Sequence, residues 1–256
     1  MARPLLALGG IVLIGVGAAI GFGWWMPSTA EADTQLTSPV RSVRLETDSG
    51  SVRLRVSDGA AKIHQSFSYH GGDKPGDGYR MEGDQLVLGS CGDHCSIGYD
   101  IVLPSGVPVT GKSDSGEIEL SAVTSVDVTA DSGRVRVSDV PGAVTVTADS
   151  GEVDLKNIGQ NVRAKVGSGS IRGDGLRGSV DAQTDSGSIK LALDAVNSVK
   201  AKTDSGGIDL TVPSGSYRVQ GSSDSGRRDI QVAQDSSAAQ TLDLGTDSGS
   251  VRVRTA

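Results

Sequence analysis

Aromatic side chains are scarce. They make up 3% of the 256 residues, and after residue 100 only Tyr217 remains. An ordinary globular core uses Phe, Tyr and Trp for much of its buried area, so this interior must be made of Val, Ile, Leu and Ala. Histidine is rarer still, with three in all and none after His94. That removes the commonest acid–base group and metal ligand from most of the chain. An excess of basic residues is also missing. The net charge is −7 with both signs interspersed, which excludes a nucleic-acid partner, because such a partner requires a basic face.

One long apolar run is present. Leu5–Trp25 holds 21 residues without a charge. At ~1.5 Å per residue it spans roughly 30 Å as a helix, about one hydrocarbon core. Arg3 precedes it, Trp24-Trp25 stands where interfacial aromatics belong, and Glu31 and Asp33 follow. The expectation is a single-pass anchor over 1–30, with its N-terminus cytoplasmic and the rest of the chain outside the cytoplasm. Ala30-Glu31-Ala32 also has the form of a cleavage site, so a signal segment remains the rival reading. Residues 31–40 read as a linker.

What fills the remainder is a repeat. Asp-Ser-Gly occurs at 48, 114, 131, 149, 185, 204, 224 and 247, and from 114 the steps are 17, 18, 36, 19, 20 and 23 residues. The double step hides a degenerate copy, Gly167-Ser168-Gly169. Around each copy the pattern has period two: Val144, Val146 and Ala148 before the triplet, Val153 and Leu155 after it. Period two means strand with one face buried. Each repeat therefore reads as two short strands joined at Asp-Ser-Gly and closed by a second turn.

Hairpins in a sandwich and stacked coils both fit this pattern. The near-constant period favours coils. Charges beside the triplet favour them too: Glu117/Glu119, Arg134/Arg136, Glu152/Asp154, Arg172, Lys190, Asp209, Arg227 alternate in sign with one break. Parallel stacking sets such positions ~4.8 Å apart, where opposite charges help and like charges cost. The expected fold is all-β, a single-stranded β-solenoid resembling a parallel β-helix, with coils of about 18 residues. It occupies 104–256, with 41–103 as an irregular β cap and the N-terminal transmembrane helix before it.

Asp-Ser-Gly suits a tight corner. Glycine takes positive φ without penalty, which makes Gly50, Gly116, Gly133, Gly151, Gly169, Gly187, Gly206, Gly226 and Gly249 structural turn positions. The aspartate can close an Asx turn onto the N–H two residues on. The sharper alternative is a calcium ladder of Asp114, Asp131, Asp149, Asp185, Asp204, Asp224 and Asp247, although calcium asks for six or more oxygens. No catalytic residue and no cofactor is expected. Cys91 and Cys95, the only cysteines, point to a disulfide outside the cytoplasm. Free thiols, or a metal on Cys91, Asp93, His94 and Cys95, are the alternatives.

The Asp-Ser-Gly copies, the stretch Val102–Gly106 leading into them, and the pair Cys91/Cys95 together resemble the bacterial putative-adhesin family of β-strand repeats, over about 40–256. The resemblance implies a solenoid-like fold at the cell surface and a cysteine pair before the repeats. It implies no activity; some members serve envelope-stress systems of Gram-positive bacteria. The function expected is a non-catalytic, membrane-anchored surface scaffold that binds a cell-wall polysaccharide or an envelope protein. An envelope-stress sensor or accessory regulator is the alternative, and a polysaccharide-active β-helix enzyme the third. Arg172-Gly173-Asp174 in a Gly-rich turn, and the Thr145/Thr147 pair as an ice-binding array, are set aside as too short to carry a function.

Overall fold

The computed structural model describes residues 27–71 and 73–256. The expected membrane anchor, Leu5–Trp25, lies outside the described residues. Among the described residues no helix is long and apolar enough to cross a membrane, and the elements are all β-strands.

Alternation decides which face is buried. In the strand Val144–Ile158, Val144, Val146, Ala148, Val153, Leu155 and Ile158 are buried, while Thr145, Thr147, Glu152 and Asp154 point outward. Neighbouring coils repeat this in parallel and in register: Val144 lies between Val126 and Val162, and Val153 between Val135 and Ile171. The inward side chains form one continuous aliphatic cluster. Val140, Ile158, Leu193 and Val212, at the return turns, are 0–3% exposed and close it from the side. A fully buried residue of this size contributes about 1.5–3 kcal/mol, and such contributions along the stack replace the missing aromatics.

The triplet is a kink in a ladder and does not separate two strands. In the four strands Pro108–Ser121, Ser125–Val140, Val144–Ile158 and Val162–Leu176 the pairing runs on through it. Ser150 and Gly151 stay paired with Ser132 and Gly133, and only Asp149 drops out. The glycine takes φ +130 at Gly151. A Cβ there would strike the carbonyl oxygen of Gly133, and the same holds from every other elbow glycine to the one before it in the stack except Gly50, which meets Ile97. Gly226 shares this contact but, contrary to expectation, takes no positive φ. The glycines therefore set the coil-to-coil contact distance as well as supplying a permitted φ.

Stacking follows chain order only in the middle. The coil built on Ser42–Thr47 and Ser51–Val56 is second in the stack: Gln85–Leu88 and Cys95–Leu103 pair with its outer side, and Pro108–Ser121 with its inner side. At the other end Thr241–Ser248 and Val251–Thr255 are inserted between Val199–Val212 and the coil of Ser216–Gln231. Val251–Thr255, the last strand of the chain, is therefore not at the end of the rod; the outer coil is 216–231. Counted in space, ten coils stack, from 85–103 to 216–231.

Antiparallel pairs cover the first end. Lys62–Tyr69 pairs with Cys95–Leu103, and Ser28–Gln35 pairs with Lys62–Tyr69. The first half of the segment read as a linker (31–40) thus belongs to an edge strand. Its alanines Ala30 and Ala32 pack on the core, which is why the strand holds. Within 41–103, the segments 42–56 and 85–103 are stacked coils, and only the part between them acts as a cap.

Candidate functional site

The repeated feature that faces solvent is the outward side of each coil. After the elbow, one outward position forms a file through all ten coils, in spatial order Asp100, Arg53, Glu119, Arg136, Asp154, Arg172, Lys190, Asp209, Arg252, Asp229. The signs alternate except between Arg172 and Lys190. The inserted coils are what extend the alternation. In chain order Asp100 would meet Glu119, and Asp209 would meet Asp229; in space Arg53 and Arg252 separate them. The sequence reading of Arg227 as the last member was wrong, because the terminal coil pairs Asp229 with Arg252. Arg228 takes an inward position there and donates to the Leu244 carbonyl at 2.9 Å.

Five of the eight opposite-charge junctions of the file close to within 4.0 Å. Arg53 Nε donates to Glu119 at 2.9 Å, and its Nη1 lies 4.0 Å from Asp100. Arg136 meets Glu117, and its Nε lies 3.9 Å from Asp154. Arg172 meets Glu152 and lies 3.8 Å from Asp154. Arg254 donates to Asp209 at 3.0 Å, with Arg252 at 3.9 Å. The other outward face carries a shorter version: Lys200 lies 3.7 Å from Asp181, and Lys202 3.4 Å from Asp243. At its N-terminal end Arg44, Glu46, Arg80 and Glu82 close a ring of ion pairs of 2.7–2.9 Å. The hydrogen bond from Arg80 holds the Glu46 carboxyl below its usual range. Each exposed pair is worth ~0–1 kcal/mol, so the file specifies which coil meets which more than it stabilises the rod.

The elbow edge carries the aspartates. Asp114, Asp131, Asp149, Asp185, Asp204, Asp247 and Asp224 stand exposed in one row with Asp48, interrupted at Gly167. Among the described residues no group of three or more His, Cys, Asp or Glu side chains is placed to hold a metal ion. The expected Asx turn is not what closes the elbow. The bonds run between coils: Gly187 N–H donates to Ser205 O and Gly206 N–H to Ser248 O, both at 2.9 Å. Threonines before the triplet assist, Thr203 donating to Gly187 O at 3.1 Å and Thr246 to Gly206 O at 3.0 Å. Among the described residues, only at Asp235, away from the triplets, does a carboxylate take the N–H two residues on.

Cys91 and Cys95 form the disulfide, with Cα atoms 5.6 Å apart. It ties the loop that leads into Cys95–Leu103. Arg172-Gly173-Asp174 lies within the strand Val162–Leu176 and not in a turn. Gly173 faces inward, and Leu176 fills the space its missing side chain leaves.

Residues 100–256 match the model of the family described as Toastrack DUF4097. No curated protein is similar enough to match. Among solved structures, a putative cell adhesion protein from Clostridium sporogenes is similar at 12% identity over 90% of this chain and 100% of that one, with a TM-score of 0.27. A putative adhesin from Bacteroides fragilis gives 13% over 89% and 97%, with 0.34. A putative adhesin from Parabacteroides distasonis gives 9% over 88% and 97%, with 0.35. These likenesses are too remote to speak to ligand or activity.

Proposed function

The chain belongs to the Toastrack DUF4097 family, and from that premise we propose that it is a non-catalytic scaffold, anchored in the membrane by Leu5–Trp25, that displays a rigid β rod outside the cytoplasm for binding an envelope polymer or protein. One observation carries the reading: two long outward faces repeat the same polar positions coil after coil, over roughly 45 Å at ~4.8 Å per step. Such a surface suits an extended partner contacted at many equivalent points. The apolar run and its flanking charges support the anchor. The described strand begins at Ser28, three residues after that run, so the capped end of the rod is the one held near the membrane.

The test uses the full chain with a C-terminal epitope, in intact cells. Protease added outside should remove the epitope, and deletion of the gene should alter wall attachment or aggregation. An epitope that stays protected until the cells are lysed overturns the topology. Normal attachment with altered stress transcription would overturn the scaffold role and favour the regulatory one.

A further inference from the structure

Eight of the nine junctions in the outward file join opposite charges, and the chain departs from its own order at both ends in a way that keeps them opposite. The ninth, Arg172 beside Lys190, joins like charges near the middle of the rod. Each neighbour of Lys190 is engaged on its far side. Arg172 turns to Glu152 and Asp154, and Asp209 turns to Arg252 and Arg254. Among the described residues neither Lys190 nor Lys156 has a carboxylate within the 4.0 Å of an ion pair. Both are exposed, and with Arg172 they border a surface groove of about 540 Å³ whose floor includes Leu155 and Leu191. Where a sequence obeys a local rule everywhere else, the one violation is the expected place of a function.

We propose that this junction is an anion site, and that Lys190, with Lys156, takes a phosphodiester group of an extended acidic polymer lying along the face. The inference rests on the reading of the rod as a display surface, and it names where on that surface the partner is held. A free ammonium is a compact point charge of the kind that binds phosphate, whereas the Arg172 guanidinium is already engaged by carboxylates. An open groove crossing successive coils suits a chain better than an enclosed small molecule. Three carboxylates share the groove. Glu119 is engaged by Arg53, and Asp154 by Arg136 and Arg172. Asp174, paired in register with Lys156, has no cation within ion-pair distance among the described residues and works against the anion, which gives the test a second sign.

The experiment titrates the full chain in zwitterionic detergent with synthetic poly(glycerol phosphate) at fixed salt. Lys190→Gln should weaken binding by about tenfold, the size of one good charged contact. Asp174→Asn should tighten it. Lys112→Gln, on the other outward face, should leave it unchanged. Unaltered melting of each variant keeps folding out of the comparison. Failure of the polymer to bind, equal loss from Lys112→Gln, or equal binding of polygalacturonate overturns the site. None of these outcomes touches surface display, which the protease and deletion tests judge separately.

Discussion

Arg252 lies across the ladder from Asp209, its Nη1 3.9 Å from the carboxylate, although 43 residues of chain separate them and another coil is threaded in between. Had the coils stacked in the order they are written, Asp229 would occupy that place and two carboxylates would face each other. Glycine packing reports the same order, since a Cβ on Gly226 would strike the Gly249 carbonyl and one on Gly249 that of Gly206.

Cross-links can read this order directly. Arg254 pairs with Thr211 on one side and Gln231 on the other. Parallel neighbours lie within the ~4.4–6.8 Å that a disulfide needs, and next-but-one coils do not. The Thr211→Cys/Arg254→Cys double variant should oxidise to an intramolecular bridge, and Thr211→Cys/Gln231→Cys should not. The opposite result on a non-reducing gel would restore chain order. Arg252→Asp, which sets three carboxylates in a row, should cost roughly 1 kcal/mol in chemical denaturation.

Elbow glycines do two things, and two substitutions separate them. Gly151 and Gly59 have similar φ, +130 and +123, but a Cβ meets the Gly133 carbonyl at the first and nothing within 4 Å at the second. Gly59→Ala should cost only backbone strain, about 1–3 kcal/mol. Gly151→Ala must also push two coils apart and should exceed that range. Denaturation midpoints give the comparison; equal losses would mean that stacking does not depend on close glycine contact.

Much of this was legible in the letters. Period-two valines gave the strands, the triplet spacing gave the coils, and the cysteine pair gave its disulfide. The order of the end coils was hidden because a local repeat specifies how a coil is made and not which coil it meets; that information lies in Arg53 and Arg252, whose signs make sense only against residues far along the chain. The edge strand was hidden for another reason. Ser28–Gln35 has only Ala30 and Ala32 to bury, too faint an alternation to tell from a linker. The Asx turn fitted the triplet's chemistry, yet ladder bonds between coils satisfied the same N–H groups first.

Alkaline lability should come from the tyrosines. Burial pushes the hydroxyls of Tyr99 and Tyr217 above their ordinary range. The folded state thus holds these protons more tightly than the unfolded chain does. Their contribution is complete below the unfolded value near ~10 and is lost as pH rises beyond it. Tyr99 donates to the Gly89 carbonyl at 2.8 Å, so Tyr99→Phe should cost about 1 kcal/mol at neutral pH and flatten the alkaline fall. Denaturation across pH 9–12, followed with tyrosinate absorbance, measures both; an unchanged slope in the variant would assign the lability elsewhere.

The edge strand bears on how the N-terminus is processed. Cleavage after Ala32, the end of the Ala-Glu-Ala triplet, would remove Ser28 to Ala32 and with them the register partners of Tyr69, Ser68, Phe67, Ser66 and Gln65. Phe67 is 2% exposed and lies across from Ala30, so the cut would bare an aromatic side chain and a row of unpaired backbone groups at the rod's first end. It would also remove the Glu31 carbonyl that accepts from Lys74 at 3.0 Å, and leave Asp33, whose carboxylate meets His64 Nδ1 at 2.9 Å, on a fraying terminus. A strand that completes the cap is poorly suited to be discarded. Protein recovered from membranes should therefore yield peptides reaching upstream of Ser28 in mass spectrometry, and replacing Ala30 and Ala32 by residues that block cleavage should shift its mass only by the substitutions themselves. A mature terminus at Asp33 would show instead that the cell gives up the edge strand, and with it the direct tether between the apolar run and the rod.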